Sequence, residues 1–204
     1  MSAIASELLA PGFDDPVHDA QRVFRGLLDA LARPGRIVDL AGAFGGLSEL
    51  PDQVPRSLAA GLLALTDADA PVWITPEAPA LAALLRFHAG APMQAGPEGA
   101  AFAAMLDAGA ALPLARYERG TPDYPDRSTT IFIAVPALEG GPQVRLRGPG
   151  IATSTTIAPR GLPTDFWRER AAMRAEFPLG IEIYLCAGTR VLGLPRTTQA
   201  EEEG

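Results

Sequence analysis

A strand that is apolar on both faces survives only with packed material above and below it, and residues 128–135 read as such a strand. Ser128, Thr129 and Thr130 are β-compatible, and the run is wholly apolar from Ile131 through Val135. The preceding segment, Gly120 to Asp126, holds two prolines and a glycine and can continue neither a helix nor an inner strand. A sheet covered on both sides is therefore the first constraint on this chain.

The elements around it supply the layers. Asp15 followed by Pro16 reads as an N-cap and a first helical residue. Val17, Ala20, Phe24, Leu27, Leu28 and Leu31 follow at helical spacing and are expected to face the core. His18, Asp19, Gln21, Arg22, Arg25 and Asp29 take the other faces. Arg33, Pro34 and Gly35 stop that helix, and Ile37 to Leu40 form a candidate strand. After a glycine-rich connection over 41–52, Arg56 to Leu65 is apolar nearly all round and predicts a buried helix. Val72 to Ile74 reads as a short strand, Glu77 to His88 as a helix, and Glu98 to Leu106 as a further helix.

In the second half the strands cluster. Val144 to Arg147 alternates as an edge or half-exposed strand would, and the turn Gly148, Pro149, Gly150 follows. A polar helix is expected from Thr164 to Glu176. In Ile181 to Cys186, Ile181, Ile183 and Leu185 face one way and Glu182, Tyr184 and Cys186 the other. Val191 to Leu194 ends the core. The expected fold class is α/β, a three-layer sandwich with a mixed sheet. One domain is expected over 1–204, with a loose lead-in over about 1–12 and an acidic tail fraying from about 199 to 204.

Composition narrows the chemistry. A hydrophobic fraction of 48% excludes general disorder. All 17 basic residues are arginine, so the chain has no lysine for a Schiff base, a lysine general base or a phosphate-binding P-loop. A net charge of −7 opposes nucleic-acid binding. The longest apolar run, Leu58 to Leu65, is far below the ~18 residues of a membrane span. No cation precedes Arg22, so no secretory signal is expected. One cysteine, Cys186, permits no internal disulfide and no cysteine-built metal site, which fits a cytoplasmic setting.

Two local clusters combine a guanidinium with hydroxyls: Arg127, Ser128, Thr129 and Thr130, and Arg196, Thr197 and Thr198. Guanidinium forks match phosphate oxygens and hydroxyls add donors, so either cluster could hold an anion. Turn-flanking Arg and Thr also occur without any ligand, with the arginine paired to a local acid. Arg86 and His88 place a cation and an imidazole at a helix end. There they could relay a proton or simply meet the helix dipole. Asp67 and Asp69 could share Mg²⁺ but also suit a turn that caps backbone amides. With two histidines no metal constellation assembles, and neither a dinucleotide fingerprint nor a nucleophile elbow is present. A scaffold or subunit fits these residues better than a self-sufficient enzyme.

Seven stretches in order carry a family likeness: Phe24 to Gly35, Leu63 to Trp73, Leu85 to Pro92, Gly120 to Thr130, Leu146 to Ile151, Phe177 to Ile181, and Leu194 to Thr198. In these the chain resembles the PhnH family, a subunit of the bacterial carbon–phosphorus lyase machinery for phosphonate use. The resemblance implies a fold like the large domain of pyridoxal-phosphate transferases without the cofactor. It further implies a dimerising subunit assembled with PhnG, PhnI and PhnJ. In that family ATP and an alkylphosphonate give a ribose 1-phosphonate 5-triphosphate, and a separate radical S-adenosylmethionine subunit later breaks the C–P bond. The resemblance assigns no catalytic residue to this chain and implies no cofactor or metal of its own. Two roles stay open: an interaction subunit, or one lending Arg127, Ser128, Thr129, Arg196 and Thr197 to a shared nucleotide site. Apart from these two, a solitary Mg²⁺ hydrolase built on Asp67 and Asp69 is the weakest reading.

Overall fold

A computed structural model describes residues 11–42 and 45–202 of the chain. Asp15 accepts a hydrogen bond from the His18 backbone N–H at 3.1 Å, and α1 runs Pro16–Ala32 as the capping signal predicts. Gly35 turns the chain at φ +91°, a conformation that favours glycine, and leads into β1 (Ile37–Asp39). The glycine-rich connection carries a 3-10 turn over Gly45–Glu49. Then come α2 (Arg56–Leu65), with the boundaries read from sequence and Ser57 to Leu62 buried, β2 (Val72–Ile74) and α3 (Pro79–His88).

Residues 98–106 do not form the expected helix; they supply β3 (Phe102–Met105). Small apolar residues in a short run fit a buried helix and a buried strand equally well by period. Here the neighbours decide, because β3 is inserted between two other strands and its alanines are buried on both faces. Local helix preference of a few tenths of a kcal/mol per residue is small beside two ladders of hydrogen bonds.

The remaining elements are β4 (Thr130–Ala134), β5 (Val144–Arg147), β6 (Thr155–Ile157), α4 (Phe166–Met173), β7 (Glu182–Ala187), β8 (Arg190–Leu194) and β9 (Gln199–Glu202). A mixed six-stranded sheet has the order β1-β8-β7-β4-β3-β2. Its β2, β3, β4 and β7 are parallel, whereas β8 is antiparallel to both β7 and β1. A small antiparallel sheet has the order β6-β5-β9. β5 is thus half-exposed as expected but central rather than an edge. The expected fraying tail is instead ordered through Glu202, because its backbone pairs with β5, Gln199 opposite Arg147 and Glu202 opposite Val144. Residues 1–10 of the expected loose lead-in, and 203–204 of the tail, lie outside the described residues.

The large sheet separates two cores by strict alternation. Phe132 and Ala134 of β4, with Tyr184 and Cys186 of β7, pack under α1, α2 and α3. Ile131, Ile133, Ile183 and Leu185 point the other way, against Phe166 and Trp167 of α4 and Val144, Leu146 and Ile157 of the small sheet. The face assignment of β7 therefore holds as read from sequence. The second outer layer is one helix plus a small sheet rather than helices alone.

α1 corrects one expectation. Its buried residues are Asp19, Val23, Leu27 and Ala30, whereas Val17, Phe24 and Leu28 stay 66%, 49% and 56% exposed. Asp19, expected outside, accepts from the Asp15 N–H (3.1 Å) and from Arg22 Nη1 (3.0 Å). The helix carries more apolar residues than one face can hold, and the sheet covers the stripe beside Gly193 of β8, where backbones approach most closely. Among the described residues no helix is long and apolar enough to cross a membrane.

Candidate functional site

The two Arg–hydroxyl clusters meet. The turn after β8 carries Arg196 back across the start of β7, and the Gly120–Asp126 loop delivers Ser128 to the same place just before β4. Arg196 Nη2 donates to Ser128 Oγ at 2.6 Å. Its Nη1 donates to the carbonyls of Pro125 (2.6 Å) and Pro178 (3.3 Å). Nε donates to Glu182 Oε1 at 2.5 Å, and the Arg196 backbone N–H donates to Glu182 Oε2 at 2.9 Å. One guanidinium thus ties four segments of chain and is neutralised by a carboxylate bonded through both oxygens, with side chains 15% and 20% exposed.

The other cluster members separate. Thr129 is fully buried, its hydroxyl donating to the Ala100 carbonyl (2.7 Å) and accepting from the Glu118 N–H (3.2 Å). Arg127 lies over the Tyr124 ring, 4.1 Å from its centroid, and stays exposed. Thr197 is half-buried beside Arg196. Arg86 and His88 are exposed on α3, where the Phe87 ring meets His88 edge-on at 4.9 Å and the Gly12 backbone sits against the imidazole. Asp67 accepts from the Asp69 N–H at 2.9 Å, a turn-capping geometry. Among the described residues no group of three or more His, Cys, Asp or Glu could hold a metal ion.

Two residues carry weight that sequence reading did not assign. Glu182 is the acid that neutralises Arg196, and its signal was its place on the same strand face as Tyr184 and Cys186, where a charge demands a partner. Arg170 of α4 is buried; its Nη2 donates to the carbonyls of Pro195 (2.6 Å) and Thr198 (3.4 Å). Burial pulls its guanidinium down to about 10, with Glu182 opposing that shift.

A recess of about 530 Å³ opens at the carboxyl ends of β3 and β4, lined among others by Asp52, Arg56, Leu106, Val135 and Gly188. That end of parallel strands is where open α/β sheets take ligands. Arg56 here holds its own loop, donating to the carbonyls of Leu50 (2.8 Å), Pro51 (3.1 Å) and Val54 (2.9 Å). The lining mixes Asp52, Gln53 and Arg56 with aliphatic residues and holds no histidine, cysteine or tyrosine.

Buried hydroxyl and thiol groups serve packing. Tyr184 donates to the Leu27 carbonyl at 3.1 Å, and burial pushes its phenol above the ordinary range. Burial likewise pushes the Cys186 thiol up to about 12, slightly offset by Ser57. At neutral pH the native chain therefore resists an aromatic disulfide reagent, and labelling of Cys186 follows global unfolding in urea. Rapid labelling without denaturant contradicts this placement.

Residues 11–201 match the family model described as bacterial phosphonate metabolism protein (PhnH). The chain belongs to the PhnH family. One relative is alpha-D-ribose 1-methylphosphonate 5-triphosphate synthase subunit PhnH of Rhizobium meliloti (strain 1021), 43% identical over 97% of this chain and 98% of its own. Another, from Stutzerimonas stutzeri, is named "Putative C-P lyase subunit protein HtxG" and is 30% identical over 90% of this chain and 87% of its own. In this PhnH-family chain, three stretches carrying the sequence resemblance converge on one group: Gly120 to Thr130, Phe177 to Ile181 and Leu194 to Thr198 all bond to or contain Arg196.

Proposed function

We propose that the chain is a subunit of the multi-protein system that converts ATP and an alkylphosphonate into an alkylphosphonate ribose 5-triphosphate, and that it contributes framework and docking surface rather than reacting groups. One relative is named as a subunit of alpha-D-ribose 1-methylphosphonate 5-triphosphate synthase and another as a "Putative C-P lyase subunit protein", which supports this reading. The observation that carries the role is the occupied state of Arg196: its Nε, Nη1, Nη2 and backbone donors bond within the fold. A guanidinium held this way stiffens a subunit. It is not poised to capture a triphosphate, and Thr129 is likewise turned inward. That disfavours the shared-nucleotide-site role for Ser128, Thr129 and Arg196, and bears on neither Arg127 nor Thr197.

The docking half of the proposal rests on α1, whose Val17, Phe24 and Leu28 form an exposed apolar stripe. We assign that stripe to contacts in the assembly, with a second copy of the chain and with PhnG-, PhnI- and PhnJ-type subunits in the cytoplasm. We also infer kinship with the large domain of pyridoxal-phosphate transferases. The absence of lysine removes the group that tethers the cofactor there.

Tagged chain purified from phosphate-starved cells growing on an alkylphosphonate is expected to bring down the other subunits. The double variant Phe24→Glu, Leu28→Glu is expected to fold with unchanged thermal stability and to recover them about tenfold less well. Recovery of the wild-type chain alone, or turnover of ATP and methylphosphonate by the solitary chain, overturns the reading.

A further inference from the structure

We infer that the recess between α4 and the β8–β9 turn, lined by Arg170, Arg174, Arg196 and Thr198, binds a small tetrahedral oxyanion of the phosphate or phosphonate class. Arg170 is buried, and its hydrogen bonds go to two carbonyls. Its Nε and the Thr198 hydroxyl oxygen are both buried without a hydrogen-bond partner. Buried polar atoms are nearly always paired, and a buried cation nearly always has a counter-charge.

Among the described residues, none of the nearby acids is hydrogen-bonded to Arg170. Glu182, the carboxylate that acts on Arg170, already gives both oxygens to Arg196. Glu169 accepts from the Leu114 N–H at 2.7 Å, and Glu201 lies on the exposed rim. Arg174, one turn on from Arg170, lines the same recess and makes no ion pair among the described residues. Arg170 and Arg174 therefore line one cavity of about 160 Å³, with Glu201 and Arg196, the latter already bonded within the fold, also in its wall. That is the volume of roughly five waters, enough for one tetrahedral anion. Water would pair the two orphan atoms but bring no bonded counter-charge to Arg170; an oxyanion does both, with Nε–H and O–H as donors and Arg174 closing the mouth.

This goes beyond the subunit role and is tested on the full-length chain alone, by calorimetry and thermal unfolding with inorganic phosphate and methylphosphonate against chloride at matched ionic strength. The expected result is saturable binding and a rise in Tm. Arg174→Gln and Thr198→Val are each expected to weaken binding by about tenfold. Because the Thr198 hydroxyl has no partner in the empty fold, Thr198→Val is expected to leave the Tm without phosphate unchanged or higher. Arg170→Met alone does not discriminate, since it removes a buried framework bond as well. No saturable response to either anion overturns the inference, as does a Thr198→Val chain that is less stable without phosphate yet binds it as wild type.

Discussion

Arg196→Met is expected to lower the stability of the folded chain by about 3 kcal/mol, read as a fall in urea midpoint at unchanged slope. Methionine keeps much of the apolar stem but removes the side-chain bonds to Ser128, Pro125, Pro178 and Glu182. The larger part of the cost is the Glu182 carboxylate, 20% exposed and left without its hydrogen-bonded cation. Partial exposure of the pair keeps the figure at the low end of the range for a broken buried ion pair. Arg196→Lys is expected to recover only part of the loss, because an ammonium cannot bond two carbonyls, a hydroxyl and a carboxylate in one plane. A variant as stable as wild type but defective in assembly or binding would make Arg196 a recognition group, and the framework reading would fail.

Gly193→Ala is expected to cost about 3 kcal/mol, although it adds a single methyl group. A Cβ at this point of β8 would lie 2.6 Å from the Ala30 carbon and oxygen and 2.8 Å from the Leu31 nitrogen, all backbone atoms of α1. A helix backbone cannot rotate away as a side chain can, so α1 must shift off the sheet and loosen the packing of Leu27 and Ala30. Gly61→Ala in α2 is the comparison. Its Cβ would meet the Phe132 ring edge at 2.5 Å, a side-chain clash costing about 1–2 kcal/mol. Helix preference for alanine over glycine returns up to about 1 kcal/mol of that. Equal Tm losses for the two variants would show that α1 is not seated on β8 in this way.

Local signals were legible wherever one short stretch contains its own cause. Asp15 before Pro16 starts α1, Arg33 to Gly35 ends it, and the boundaries of α2 follow from a run apolar on every side. The alternation of Ile183 and Leu185 against Tyr184 and Cys186 assigned two cores to two sides of β7 correctly. What failed were elements whose state depends on a remote partner. β3 is a strand because β2 and β4 flank it, and β9 is ordered because β5 lies alongside, more than fifty residues earlier in the chain. The site divided the same way. The clusters at Arg127 and Arg196 were visible as residue types, but their junction at Ser128 and their neutralisation by Glu182 were not.

The amino-acid sequence by itself determined a covered sheet, an all-arginine cation set that excludes lysine chemistry, and membership in the PhnH family. Each is a property of residue identity and short-range period. Only the tertiary structure decided which stripe of α1 is buried, that Arg196 closes on Glu182, and that Arg170 and Thr198 enclose a charged recess. Those outcomes depend on which backbones approach closely enough to exclude water, and such approach is set by the pairing of distant strands rather than by any neighbouring residue.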